Sequence, residues 1–187
     1  MSTESIARLF GATAAVALGA VGVGTAAGAV GIGTAAAPVE PRAAAPKKIT
    51  PSGVGGVKLG KTYEQLREEN LVGKIGKGCE LGGPNTRSAS LRAPLKGGVD
   101  FTLTAPRKVT NIAIRGGATA RGVGIGAKIA KIKAAYPKAK VDHGTDKTFG
   151  FTLVSVPKGG GGRLAFAVDT KTKRVTVIGI PFVAVCD

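Results

Sequence analysis

The sequence predicts an α+β fold of two tandem repeats, each with one helix and about three antiparallel strands, the helices packed on one face of the sheet. Three observations lead to this fold class. Segments of the chain recur at a constant spacing, a helical pattern follows each copy of a V-x-[LI]-G segment, and short alternating apolar segments are separated by turn residues. The repeats are expected near residues 50–115 and 116–182, within a single globular domain of residues 49–187.

Two separate parts of the chain share one offset. Residues 57–66 align with residues 123–132, and residues 108–114 align with residues 174–180, an offset of 66 in both cases (57 to 123, and 108 to 174). A common offset in two separate segments indicates duplication of one unit of that length.

A helix is expected early in each repeat. In the first, Thr62 is a suitable N-cap, and Gln65 completes a capping box. In the second, apolar residues recur at helical spacing from Ile129 to Tyr136, and Pro137 ends the helix.

Strands are expected where apolar residues alternate with smaller or polar ones, as in residues 149–153 and 164–168. Turn residues at 104–107 and 170–173 and a glycine run at 159–162 separate them. Because a parallel sheet needs a crossover between strands and only two helices are expected, these patterns favour antiparallel hairpins.

Residues 1–36 have the features of a secretory signal peptide: few charges, a long apolar run, and small residues at the exit. A nonapeptide occurs twice in this segment and offers cleavage after Ala27 or after Ala36, of which we favour the second. The apolar run is also long enough for an uncleaved N-terminal anchor, which would be the chain's only contact with a membrane. A Pro/Ala linker is expected at 37–48, and the protein is expected to be secreted or associated with the cell envelope.

Basic residues dominate the charge: 27 Lys and Arg face 11 Asp and Glu, a formal net charge of +16. Such a field attracts polyanions, so the expected partners are an acidic protein or an anionic cell-envelope polymer. The alternative is a solvated surface that keeps the domain soluble. Five lysines in and after the second predicted helix are the candidate polyanion contacts: Lys128, Lys131, Lys133, Lys138 and Lys140.

The chain has two cysteines, Cys79 and Cys186. An isolated pair in an oxidising compartment usually forms a disulfide, which here would close a loop of more than 100 residues and hold the end of the chain. Two free thiols are the alternative.

Two patterns invite a chemical interpretation. Residues 55–62 satisfy the G-x-x-x-x-G-K-T expression of a phosphate loop, but residues 46–54 contain two prolines and no strand to precede such a loop. Nucleotide binding is therefore a remote alternative. Asp142, His143 and Asp146 lie in one short loop, where a surface turn is the expected structure because metal ligands converge from separate elements.

We expect no catalytic, cofactor or metal site and no enzymatic activity. Specific nucleic-acid binding is also not expected, because single-strand binding uses exposed aromatic side chains and most of the aromatic residues here occupy core-facing positions. The leading hypothesis is a secreted, monomeric, non-catalytic binding or inhibitor-like module. The alternative is a cell-wall-associated structural protein held by anionic polymers.

Several segments together resemble a group of secreted actinobacterial proteins that share T-P-x-G-(I/V)-G-x-L-x-L-G, a later G-C, a second G-(I/V)-x-(I/V)-G followed by Y-P, and a final Cys. The matching segments are 50–60, 78–79, 118–126 and 132–137, with Cys186. More distantly, tandem helix-plus-sheet units resemble the secreted β-lactamase-inhibitory protein and small outer-membrane assembly lipoproteins.

That resemblance implies a two-repeat binding scaffold. The chain departs from the pattern at Lys61, where a Met commonly follows the L-G, and it lacks an aromatic-rich, acidic concave surface. The resemblance therefore transfers neither β-lactamase inhibition nor any functional residue.

Overall fold

The computed structural model describes residues 45–159 and 162–185, and this part of the chain is mostly β, with twelve strands in two sheets and three short helices. The predicted α+β fold of two helix-plus-strand repeats is therefore wrong. The predicted signal segment, most of the predicted linker and Cys186 lie outside the described residues.

The strands are numbered along the chain. They are β1 Lys47–Thr50, β2 Gly53–Val54, β3 Val57–Lys58, β4 Gly76–Lys77, β5 Arg87–Ser90, β6 Lys96–Phe101, β7 Val109–Gly116, β8 Ala118–Thr119, β9 Lys140–Asp142, β10 Phe151–Gly159, β11 Gly162–Asp169 and β12 Val175–Ile180. The small sheet has the order β3-β2-β1-β8, in which β1 and β8 are parallel. The large sheet has the order β4-β5-β6-β7-β12-β11-β10-β9, and its neighbouring strands are all antiparallel.

The helices are α1 Tyr63–Glu68, α2 Ile129–Ala135 and α3 Asp146–Phe149, with a 3₁₀ turn at Glu80–Gly82. The capping box of α1 is formed as expected: the Gln65 amide donates to Thr62 Oγ1 at 3.3 Å, and the Thr62 amide donates to Gln65 Oε1 at 2.9 Å. With six, seven and four residues, the helices are too short to form the predicted helical layer. No helix among the described residues has the length and apolarity needed to cross a membrane.

One face of the large sheet carries the core. Its largest fully buried side chains come from the central strands β7, β11 and β12, namely Ile112, Ile114, Phe166, Ile178 and Ile180. Leu66 of α1 and Ile132 of α2 are also fully buried in this cluster. The short helices therefore supply single anchoring residues, while the strands supply most of the apolar surface that drives folding.

The offset of 66 residues corresponds to one backbone hydrogen bond that occurs in both predicted repeats. The Gly60 amide donates to the Val109 carbonyl at 2.9 Å, and the Gly126 amide donates to the Val175 carbonyl at 2.8 Å. The glycine that ends each V-x-[LI]-G segment is thus hydrogen-bonded to the first residue of a later strand, β7 or β12. This shared hydrogen bond does not make the two predicted repeats alike in their helices and strands.

Small residues line the opposite face of the large sheet, at Gly98, Ala113, Ala165, Ala167 and Gly179. Residues 181–185, which we call the crossing segment, lie over this face. The Phe182 carbonyl oxygen would be 2.0 Å from a Cβ at position 179, and the Val185 carbonyl oxygen lies 3.6 Å from Cys79 Sγ. The small side chains leave the space that the backbone of the crossing segment occupies.

Gly179→Ala is expected to lower the free energy of unfolding by about 1–3 kcal/mol, because the added methyl group overlaps backbone atoms of Phe182 and Val183. Urea unfolding measures the loss, and limited proteolysis should show earlier cleavage within the crossing segment. Gly76→Ala on β4 is the matched control, since a Cβ there meets nothing within 4 Å. Equal unfolding free energies for the two variants would contradict this account of the crossing segment.

Candidate functional site

A groove of about 690 Å³ lies between β1, the end of α2 and the β10–β11 hairpin. We call it the basic groove and define it by Lys48, Arg121, Tyr136, Lys138, Val156 and Leu164. The three cations are exposed and come from three separate parts of the chain.

Backbone geometry fixes the positions of the three cations. Lys48 is held on β1 by pairing with Thr119 of β8. Arg121 has a left-handed backbone, with φ of 49°, in a tight turn closed by hydrogen bonds of 2.8 and 2.9 Å between Ala120 and Val123. Lys138 lies in the turn that follows α2.

Tyr136 connects the groove to the core. The centre of its ring lies 6.0 Å from the centre of the Phe166 ring, and the Arg121 guanidinium carbon lies 5.1 Å from the centre of the Tyr136 ring. Arg121 Nη1 also donates to the Ala135 carbonyl at 3.4 Å. The cation–π contact and this hydrogen bond restrain the guanidinium of Arg121, which lines the groove.

Burial raises the pKa of the Tyr136 phenol, and the positive charge of Arg121 opposes that effect. The phenol is therefore protonated at neutral pH and can donate a hydrogen bond. Among the described residues, its hydroxyl makes no hydrogen bond, which leaves the donor available to a ligand.

The floor of the groove is apolar. Leu164 is 2% exposed, and Val156 and Ala139 are half-buried beside it. Among the residues that the structure describes, no Asp or Glu lines the groove. The described residues contain three ion pairs, which join Lys61 to Glu69, Lys77 to Glu80 and His143 to Asp146, so none of the cations of the groove is paired there.

The five lysines that the sequence singled out do not form one site. Lys128 and Lys131 border a second concavity, of about 670 Å³, with Arg174. Lys138 belongs to the basic groove, and Lys140 borders a third concavity, of about 450 Å³. Lys133 is exposed on α2 and lines none of the three.

Sequence reasoning missed Lys48, Arg121 and Tyr136 as members of a site. Lys48 and Arg121 are far apart in the sequence, and they line the same groove because β1 pairs in parallel with β8, which lies just before Arg121. Tyr136 was assigned to the apolar stripe of the second predicted helix, where its ring does contact Phe166. The sequence signal that could have indicated the site was the short spacing of Tyr136 and Lys138, which are separated only by Pro137.

The loop with His143 is organised by internal hydrogen bonds. His143 Nδ1 lies 2.9 Å from Asp146 Oδ2, and this hydrogen bond is the main cause of the lowered pKa of the Asp146 carboxyl. Asp142 Oδ1 accepts from the Gly144 amide at 2.8 Å. Within residues 45–159 and 162–185, no group of three or more His, Cys, Asp or Glu side chains could hold a metal ion.

Residues 55–62, which match the phosphate-loop expression, have other structural roles. Gly55 and Gly56 connect β2 to β3. The Lys61 ammonium pairs with the Glu69 carboxylate, and Thr62 caps α1. Residues 46–54 were expected to contain no strand, which is wrong, because they form β1 and the short buried β2. However, β2 pairs antiparallel with β3 in a hairpin that is followed by a six-residue helix, whereas a phosphate loop links a strand of a parallel sheet directly to a helix.

Cys79 is half-buried, and its Sγ lies 3.6 Å from the carbonyl oxygen of Val185, the residue before Cys186. The described end of the chain is thus close to Cys79. Because Cys186 lies outside the described residues, the Cys79–Cys186 bond stays a prediction.

Comparison with known proteins gives no family, since no protein-family model, curated protein or solved structure matches the chain.

Proposed function

We propose that this chain is a secreted, non-catalytic module that binds a polyanionic partner through its basic surface. Secretion rests on the predicted signal segment, and binding rests on charge. The single observation that supports the proposal best is the excess of unpaired cations: the net charge is +16, yet only two lysines form ion pairs with carboxylates among the described residues.

Unpaired surface cations attract polyanions for two physical reasons. A positive field raises the local concentration of anionic partners and speeds encounter. A linear polyanion also carries condensed counterions, and their release when lysine or arginine neutralises its charges favours binding. Three concavities bordered by cations, at Lys128, Lys138 and Lys140, give such a partner several places to lie.

The test is the salt dependence of binding to a defined polyanion. The full chain should bind long-chain polyphosphate on a biosensor surface, with affinity falling about tenfold or more between about 50 and 200 mM NaCl, because each phosphate contact releases counterions. Uncharged dextran on the same surface should bind nothing. Salt-independent binding, or equal binding to dextran, would contradict the proposal.

A further inference from the structure

We propose that the basic groove is the docking site for an acidic segment of a partner protein in which carboxylates alternate with apolar side chains. The carboxylates pair with Lys48, Arg121 and Lys138, and the apolar side chains pack on the floor. This inference rests on the proposed function and narrows its partner from polyanions in general to an amphipathic acidic peptide.

Charge complementarity is the first argument. Three cations from separate parts of the chain border one concavity. Among the described residues, no carboxylate lines it and none of the three cations has an ion-pair partner. A cleft lined by one sign of charge focuses the field and selects ligands of the opposite sign. Arg121 is oriented by Tyr136 and Ala135, so its guanidinium can bind a carboxylate with little loss of side-chain freedom.

The apolar floor is the second argument, and it separates a peptide from a simple polyanion. Leu164, Val156 and Ala139 line the same groove as the cations, together with three prolines. Phosphate or sugar-phosphate chains have no apolar groups to bury there. Each buried CH₂ of a peptide side chain contributes about 0.8 kcal/mol.

The strands beside the groove form the third argument. The short strand β9 pairs with β10 only at Leu153–Ser155, so Val156 lies on the stretch of β10 beyond β9. Similarly, β8 pairs with β1 only at Lys47 and Lys48. The groove therefore lies along two strands that continue past their neighbours, a shape that accepts an extended chain.

Pro157 limits the contribution of backbone pairing, because it has no amide hydrogen to donate at this edge. Side chains consequently dominate recognition. The Tyr136 hydroxyl adds one donor, and the volume of about 690 Å³ is typical of a ligand pocket, for which about 300–1,000 Å³ is the usual range.

The experiment compares three fluorescein-labelled eight-residue peptides binding to the full chain. One alternates Glu and Val, one alternates Glu and Ser, and one alternates Gln and Val, so that charge and apolarity are varied separately. The Glu-Val peptide should bind about tenfold or more tighter than either of the others, because only it fills both parts of the groove.

Charge reversal locates the site. Lys48→Glu with Lys138→Glu should weaken the Glu-Val peptide about tenfold or more. The control variant, Lys74→Glu with Lys108→Glu, changes the net charge by the same amount at exposed positions outside the groove. It should weaken binding of the Glu-Val peptide by about threefold or less. All four substituted lysines are exposed and have no ion-pair partner among the described residues, so thermal unfolding should show that both double variants are folded.

The outcomes separate this inference from the proposed function. If polyphosphate binds with the expected salt dependence but the Glu-Val peptide binds no tighter than the Glu-Ser peptide, the inference is overturned and the proposed function stands. Equal loss in the two charge-reversal variants also overturns the inference. If neither polyphosphate nor any peptide binds, both proposals fail.

Discussion

Phe166→Ala is expected to lower the free energy of unfolding by about 3–5 kcal/mol. Phe166 is the largest fully buried side chain of the core and lies on β11, one strand from the centre of the large sheet. Phe166 pairs with Ile178 of the neighbouring strand β12, and the centre of its ring lies 6.0 Å from that of Tyr136. Removing the ring leaves a cavity that strands fixed on both sides cannot collapse to fill.

Urea unfolding of wild type and variant measures this loss. Phe149→Ala is the matched control, because Phe149 is 46% exposed and the same truncation there should cost only about 1.5 kcal/mol or less, mainly from the lost stacking on Phe151 at 6.0 Å. If the two variants had the same free energy of unfolding, Phe166 would not hold the core position that the structure gives it. The Phe166 variant should also lose affinity at the basic groove, since Tyr136 loses its support.

Cys79→Ser with Cys186→Ser is expected to lower the free energy of unfolding by about 4–5 kcal/mol under oxidising conditions. The predicted bond closes a loop of more than 100 residues, which removes much conformational freedom from the unfolded chain. The carbonyl oxygen of Val185, 3.6 Å from Cys79 Sγ, is consistent with this pairing.

Two measurements check the bond itself. Wild type in excess dithiothreitol should unfold at the same urea concentration as the double variant, and dithiothreitol should leave the variant unchanged. Alkylation of the oxidised, unfolded wild type followed by mass spectrometry should find no reactive thiol. Two alkylated cysteines, or a double variant as stable as wild type, would rule out the disulfide.

Local features were predictable from the sequence because they depend on neighbouring residues. The Thr62–Gln65 capping box is formed, and the turn residues at 104–107 and 170–173 do separate strands. The offset aligned Ile112 with Ile178 and Ile114 with Ile180 as equivalent positions of a repeat, but it did not predict their contact: the structure pairs Ile112 with Ile180 and Ile114 with Ile178 across the antiparallel strands β7 and β12.

The fold class was not predictable in the same way. Two-residue strands such as β2 and β8 are too short to show an alternating pattern, so the small sheet left no periodic signal. The helical patterns were correctly located, but they correspond to helices of six and seven residues. Local periodicity identified these elements without giving their extent, and the α+β prediction overestimated the helices.

The candidate site was predictable only in part. Lys138 was selected from the sequence, whereas Lys48 and Arg121 reach the same groove through the parallel pairing of β1 and β8. Such a pairing joins residues about 70 positions apart and depends on the whole fold, which single-sequence patterns do not encode.

The position of β12 constrains when the chain can fold. This strand, formed by residues 175–180, lies in the middle of the large sheet between β7 and β11, and the crossing segment after it covers the small-residue face. During synthesis, β7 and β11 therefore cannot be joined into one sheet until residues 175–180 have left the ribosome. Until residues 175–180 are available, β7 and β11 each keep one unpaired edge, so closure of the large sheet depends on contacts between residues far apart in the sequence.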